Sequence, residues 1–329
     1  MTVTDTLPKN LLVRHPLMSD VRAVHELLSI CDIAEYGTPD LSEEEIRAQW
    51  SSPSQNLETD IWIVVTPENN IIGYAEVWQR GQHALLFAFM RVHPDYQNQG
   101  IEDHLLHLAE ARALQHIPEA PADARVTLNL WTSNLNMEMQ QLLEQVGFTR
   151  IRTHWRMDID MEQAPPAPKW PEGITVRSFV PGQDDRSVFE MVDEAFQDHW
   201  GHMPGNFEEW KHRTAQRENF DPTLWFLAFE ADKIAGGALC AYYMEQAWVD
   251  TLGVLRPFRR KGLGMALLRH AFGEFYRRGS RKVVLGVDSQ NLTGAVRLYR
   301  NAGMHVARED STYSKELRAG RELSTQTLE

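Results

Sequence analysis

Apolar positions along this chain follow a period of two in some stretches and run on for helix lengths in others, and the order of these stretches predicts the elements. Residues 61–66 and 71–78 are rich in β-branched and aromatic side chains and flank Pro67-Glu68-Asn69-Asn70, four turn-forming residues, so they predict a β-hairpin. Residues 224–229 and 234–242 repeat that arrangement around Glu230-Ala231-Asp232-Lys233. Residues 248–255 read as a strand, 263–276 as a helix, and Lys282-Val283-Val284-Leu285-Gly286-Val287 as the next strand.

The pattern occurs twice. Val13-Arg14 answers Val176-Arg177, Ile72-Gly73 answers Ala235-Gly236, Gly100 answers Gly262, and Gly147-Phe148 answers Gly303-Met304, all at a near-constant separation. Such self-similarity marks a duplicated domain. Each half reads as strand, one or two helices, hairpin, longer strand, glycine turn, helix, strand, helix, strand, which predicts an α/β (α+β) sheet domain. Ala164-Pro165-Pro166-Ala167-Pro168 opens the one Pro-rich stretch, and proline blocks helix continuation and stiffens an extended connection. The expected boundaries are an N-terminal domain over 1–160, a linker over 161–173 and a C-terminal domain over 174–329.

Composition narrows the function classes. A length of 329 suits two domains, and 43% hydrophobic residues suffice for two ordinary cores. A formal net charge of −13 argues against a nucleic-acid surface. Cys31 and Cys240 are too far apart in sequence to suggest a disulfide framework or a metal cluster, so a reducing cytoplasm is the expected location and no metal is expected. No apolar run approaches the roughly 20 residues that span a bilayer, and the first ten residues lack a secretory pattern, so no membrane partner is expected.

Candidate chemistry centres on Arg259-Arg260-Lys261-Gly262-Leu263-Gly264, between the predicted strand 248–255 and the predicted helix 263–276. Glycines there let the main chain turn sharply, and the first N–H groups of a helix lack intrahelical partners, so the stretch suits an anion such as a phosphate. Position 267 is leucine, which removes the third glycine that a dinucleotide-binding fingerprint requires. Asn291, Leu298-Tyr299 and Ala302-Gly303-Met304 continue the pattern. Together these residues resemble the signature of the GCN5-related N-acetyltransferase (GNAT) superfamily, departing from it only at the final aromatic, here Met304. The resemblance covers nearly the whole chain and implies a tandem duplication of the GNAT acyl-CoA N-acyltransferase fold, with a mixed twisted sheet flanked by helices in each half.

The halves are not equivalent. Where the second half has Gly264, the first has Glu102, and a carboxylate beside a pyrophosphate is electrostatically unfavourable. The tyrosine one helical turn before Gly303 has Leu143 as its counterpart before Gly147. The first half is therefore expected to be degenerate and the second catalytic.

The resemblance implies acetyl transfer from acetyl-CoA to a primary amine of a small molecule by direct attack. It places the cofactor on Leu252, Val254, Arg259, Arg260, Lys261, Gly262, Leu263, Gly264 and Asn291, with Tyr299 as general acid. A phenol of ordinary pKa about 10 can protonate a thiolate of pKa about 8.5 once the two are held together. The amine arrives as ammonium, and Asp250 is the preferred candidate to receive its proton, ahead of Glu245 and water. Phe196, His199 and Trp200 lie in an aromatic, His-rich stretch expected to bind the acceptor. That stretch is similar in part to mycothiol-synthase-type tandem members, which acetylate a cysteinyl amine on a glycoside. The competing expectation is a non-catalytic acyl-CoA-binding or ligand-sensing module. Monomer and homodimer are both compatible with the sequence.

Overall fold

The computed structural model describes residues 7–52, 55–80, 82–217, 220–291 and 293–326. The element order is β1 (Leu12–Arg14), α1 (Val21–Tyr36), α2 (Glu43–Trp50), β2 (Ile61–Val65), β3 (Ile71–Arg80), β4 (Leu85–Val92), α3 (Ile101–His116), β5 (Val126–Ser133), α4 (Met137–Gln145) and β6 (Thr149–Asp160). It continues with β7 (Ile174–Ser178), α5 (Asp185–Phe196), α6 (Phe207–Arg213), β8 (Trp225–Glu230), β9 (Lys233–Tyr243), β10 (Gln246–Val254), α7 (Leu263–Arg277), β11 (Lys282–Asp288), α8 (Ala295–Asn301) and β12 (His305–Arg318). The two hairpins form where the sequence predicts them, and the order of elements repeats.

The chain divides into two compact units, Met1–Arg152 with Asp310–Leu323, and Thr153–Glu309 with Ser324–Glu329. In the first unit the sheet runs β1-β2-β3-β4-β5-β12, all antiparallel except the β4/β5 pair. In the second it runs β6-β11-β10-β9-β8-β7, all antiparallel except β10/β11. Both are mixed sheets with helices on both faces. The units cross the sequence boundaries: β12, from the end of the second half, pairs with β5 from Asp310↔Ser133 to Arg318↔Val126, while β6, from the end of the first half, pairs with β11 from Lys282↔Asp160 to Asp288↔His154. Each half thus supplies the other's last strand.

Residues 161–173, expected as the linker, contain neither helix nor strand and belong to the second unit. Trp170 accounts for this, since its ring packs against that unit's core and lies 5.6 Å from the His270 ring on α7. No helix among the described residues is long and apolar enough to cross a membrane.

The duplication extends to individual contacts. Arg14 forms a two-pronged ion pair with Asp20 (2.7 and 2.9 Å), and the Asp20 carboxylate also accepts the Leu17 N–H. Arg177 does the same with Asp184 (2.6 and 2.8 Å), which accepts the Val180 N–H. The repeated Val-Arg pair therefore fastens the first strand of each half to the start of its first helix. Apolar side chains pack on both sheet faces. In the second unit α7 and α8 cover one face over Leu267, Phe272 and Phe275, and α5 and α6 cover the other over Met191, Trp210 and Trp225.

Candidate active site

Two local features open a cleft in the second unit. First, β10 and β11 pair in parallel only at Ala247↔Val283 and Trp248↔Val284, so the remainder of β10 has no partner on that side. Second, the β9/β10 register shifts between Val249 and Thr251, leaving Asp250 as the extra residue of a β-bulge, a device that redirects side chains. The Leu255 N–H donates to Ala235 O (3.0 Å), so by the alternation of a strand the N–H groups of Val254 and Leu252 point away from β9, toward the gap.

Past β10 the chain turns through Arg260 (φ +63°) and Gly262 (φ +88°) into α7, whose first intrahelical bond runs from the Ala266 N–H to Gly262 O. The N–H groups of Leu263, Gly264 and Met265 precede that ladder. A Cβ on Gly262 would meet nothing within 4 Å, so this glycine is required by its left-handed backbone. Gly264 has a different reason: its Cβ would come 3.3 Å from Leu298 Cδ1, so it admits α8 against the start of α7.

Arg259 does not stand free over the turn. Its guanidinium donates to Val254 O (3.0 Å), Ala195 O (3.0 Å) and Asp198 (2.8 Å), tying the turn to the end of α5. Asp198 also pairs with Arg256, and these two arginines, Arg256 first, lower its carboxyl to about 2. Arg260 and Lys261 remain as exposed cations on the turn. Asn291 caps its own loop, its Oδ1 accepting from Thr293 N–H (2.9 Å) and Thr293 Oγ1 (2.6 Å).

Tyr299 is buried in the α7/α8 core, and burial alone raises its phenol to about 12. Asp250 accepts from the Tyr243 hydroxyl (3.0 Å) and from Arg217 (3.3 Å), and Arg217 also donates to the Tyr243 hydroxyl. These groups border a 370 Å³ cavity whose walls include Trp225, Trp248, Thr251 and Gly286. Glu245 sits in the β9–β10 turn at φ +66°.

The expected acceptor residues lie elsewhere than on this cavity. Phe196 ends α5, with its ring 4.3 Å from that of His199, and burial followed by the nearby Arg259 charge lowers the His199 imidazole pKa. Trp200 donates to Gln326 (2.8 Å) in the C-terminal tail, which also accepts the Gly201 N–H at Thr325 O (2.7 Å). Arg217, Tyr243, Trp225 and Trp248 were not legible as site residues. The signal was faint: an arginine after α6 and tyrosines at a hairpin end, the features of any solvated surface.

The first unit repeats the backbone arrangement with other side chains at the turn. β4 and β5 pair from Leu85↔Thr127 to Ala88↔Leu130 and then part, and Asn98 (φ +59°) and Gly100 (φ +84°) reproduce the left-handed turn before α3. An 890 Å³ cavity there is bordered by Met90, Gln97, Gly100, Glu102, Thr132 and Leu142. Burial raises the Glu102 carboxyl pKa. Buried in the same wall, Arg91 Nε and Glu35 Oε1 meet no hydrogen-bond partner among the described residues. His83, His116 and Glu119 stand close enough to hold an ion, as do Asp158, Asp160 and His305, and neither group borders either cavity.

A model of the acetyltransferase (GNAT) family matches residues 21–148 and again 186–304. The crystal structure of a GCN5-related N-acetyltransferase from Sphaerobacter thermophilus is similar with a TM-score of 0.83 and 39% identity, covering 97% of this chain and all 100% of that one. A tandem GNAT protein from the clavulanic acid biosynthesis pathway shares the fold, with a TM-score of 0.72 and 15% identity over 94% of this chain and 100% of its own. The mycothiol acetyltransferase of Renibacterium salmoninarum is 28% identical over 306 residues, 88% of this chain and 87% of that protein. That of Thermobispora bispora is 31% identical over 219 residues, 64% of this chain and 70% of its own. Matched twice by the family model and carrying two copies of the fold, the chain belongs to the acetyltransferase (GNAT) family as a tandem N-acetyltransferase.

Proposed function

We propose that this protein transfers an acetyl group from acetyl-CoA to a primary amine of a small molecule by direct attack, at the cleft of the second unit. The observation that carries the reading is the coincidence of three features at one end of β10: the parted strands, the left-handed turn before α7 and the bulged Asp250. The relatives named mycothiol acetyltransferase support acetyl as the group transferred. The cofactor, when bound, supplies an activated thioester.

The unladdered N–H groups of Leu263, Gly264 and Met265 suit its pyrophosphate, with the helix dipole and the charges of Arg260 and Lys261 acting in the same sense. The open space at Gly262, where even a Cβ would touch nothing, fits such an approach. Leu252 and Val254 direct N–H groups into the gap. Val254 O already accepts from Arg259, so that arginine shapes the strand end. Asn291 holds the loop that leads into α8. Asp250 is placed to take a proton from an ammonium group in the 370 Å³ cavity, directly or through water. Tyr299 is protonated at neutral pH, as a phenol of ordinary pKa about 10 already is, and serves as the acid of this reading; burial raises its pKa to about 12, which extends its protonated range and makes it a weaker acid. Phe196 and His199 flank Asp198, whose contact with Arg259 ties the end of α5 to the turn, and they lie off the 370 Å³ cavity.

We further propose that the first unit does not turn over. Glu102 stands at the counterpart of Gly264, the turn before it carries Gln97, Asn98 and Gln99 instead of arginine and lysine, and Leu143 replaces the tyrosine. Calorimetric titration of acetyl-CoA into the protein tests both statements. One site per chain, weakened at least tenfold when Arg260 and Lys261 are both changed to Ala, is the expected result, on the scale of a lost charge-assisted contact. Two equivalent sites would return the first unit to activity, and binding indifferent to Arg260 and Lys261 would move the cofactor away from α7.

A further inference from the structure

Folding of the first unit gathers two histidines and a glutamate at one place. His83 lies in the turn between β3 and β4, His116 ends α3, and Glu119 follows in a short 3₁₀ turn over Ile117–Glu119. The Nδ1 atoms of His83 and His116 are 2.8 Å apart, and Glu119 reaches His83 Nε2 at 3.3 Å. One donor atom from each residue lies within 4.8 Å of the other two. In a tetrahedral site with bonds of about 2.1 Å the ligand atoms stand about 3.4 Å apart, so side-chain movements of about an ångström turn this cluster into a ligand set. Two imidazole nitrogens this close share one proton in a hydrogen bond, and a metal ion can take that proton's place. His116 is buried, and burial first, then the charges of Arg112 and His83, lower its pKa, which favours the neutral ring that binds metal. Arg112 opposes a cation here, but its guanidinium is paired with Asp60 (2.7 Å), and Asp60 and Glu119 act on His116 in the opposite sense. The cluster of Asp158, Asp160 and His305 differs, because the Lys282 ammonium already sits on Asp158 at 2.8 Å. Among the described residues no lysine or arginine pairs with Glu119.

We infer that His83, His116 and Glu119 form a binding site for a divalent first-row transition-metal ion of the Zn²⁺ type, which fastens the β3–β4 turn to the end of α3. Two imidazoles and a carboxylate suit Zn²⁺, Co²⁺ or Ni²⁺, whereas Mg²⁺ and Ca²⁺ favour sets made of oxygen alone. Water completes the coordination beside three protein ligands. On binding, the proton shared by the two rings passes to solvent, so affinity falls as pH drops through the histidine range. The expectation of no metal rested on the two cysteines, and these imidazoles meet only once the hairpin turn lies beside the end of α3. The three residues belong to the first unit and border neither cavity, so the ion acts on that unit's stability.

The test is calorimetric titration of Zn²⁺ into the full chain after dialysis against EDTA, with scanning calorimetry in parallel. A site of micromolar affinity is expected, weakened at least tenfold, on the scale of a lost ligand, in His83→Ala and in Glu119→Ala. Zn²⁺ at about a hundredfold excess over its dissociation constant should raise the first unit's melting transition by several degrees at neutral pH and have little effect near pH 5.5. Co²⁺ in place of Zn²⁺ should give the visible absorption of a four- or five-coordinate ion, absent in His83→Ala. Should His83→Ala fail to fold by circular dichroism, Glu119→Ala, at an exposed position, carries the same comparison. No binding of Zn²⁺ up to about 0.1 mM would overturn the inference, as would Mg²⁺ binding equally well. Affinity and melting shift unchanged in the variants that fold would place the ion on others of the 13 histidines and overturn it too.

Discussion

Single residues in this protein owe their properties mostly to burial. The Tyr299 phenol, raised to about 12, should remain protonated through pH 10, so turnover should show no basic limb from its ionisation below that point. Tyr299→Phe is expected to slow turnover by about 10²-fold or more while leaving acetyl-CoA affinity within about twofold, which stopped-flow and calorimetry would separate. Unchanged turnover in that variant would remove Tyr299 as the acid. Glu76, in the first unit, shows the same effect of burial on a carboxyl group. Burial first raises its carboxyl to about 7, against the hydrogen bonds it accepts from Tyr74 (2.9 Å) and Gln49 (2.7 Å). A raised pKa means that the fold favours the protonated form. Its contribution is fully present below the ordinary carboxylate pKa and is lost as pH rises through about 7. Glu76→Gln keeps an oxygen for both donors, so it should stabilise the protein at pH 8 and change little at pH 4.5, as read from urea midpoints. Equal midpoint shifts at both pH values would exclude this account.

At the scale of elements, the glycine turn before each helix was legible because a left-handed residue leaves a sequence mark, Gly100 and Gly262. The reason for Gly264 was not, since it lies in α8: the space where a Cβ would stand is bounded by Leu298. Gly264→Tyr should therefore do two things, weaken acetyl-CoA binding and lower the melting temperature by several degrees, because it forces α8 away from α7. Loss of binding with an unchanged melting temperature would restore a purely ligand-facing role for Gly264. Arg259 likewise reads in sequence as part of a basic cluster and acts in the structure as a strut to Ala195, Val254 and Asp198. Basic residues look alike in a linear pattern, and only the partners within reach decide which of them bind a ligand.

For the molecule as a whole, the consequential feature is that each unit's sheet contains a strand from the other half of the chain. Tyr313, on β12, is buried in the first unit's core, and Lys315 on the same strand pairs with Glu110 on α3 (2.6 Å). A chain ending at Glu309 should consequently lose the first unit's thermal transition in calorimetry and keep most of the second's. A chain lacking only 324–329 separates the contribution of the tail that meets Gly201 and His202. Retention of both transitions after removal of 310–329 would mean that β12 is dispensable to the first unit.

The sequence by itself determined the order of elements, the duplication, the turn before α7 and the family, because period-two and helix-length apolar runs, turn residues and a short glycine-turn pattern are local properties of the chain. It could not determine which half's terminal strand fills which sheet. Duplication makes β6 and β12 similar candidates for both positions, so only the long-range register, fixed by pairs such as Tyr313↔Leu130 and Trp155↔Val287, distinguishes them. Nor could it assemble Arg217, Tyr243, Trp225 and Asp250 around one cavity. These residues come from a loop, a hairpin end, an inner strand and a bulge, and their convergence follows from sheet pairing and side-chain packing that no local periodicity records.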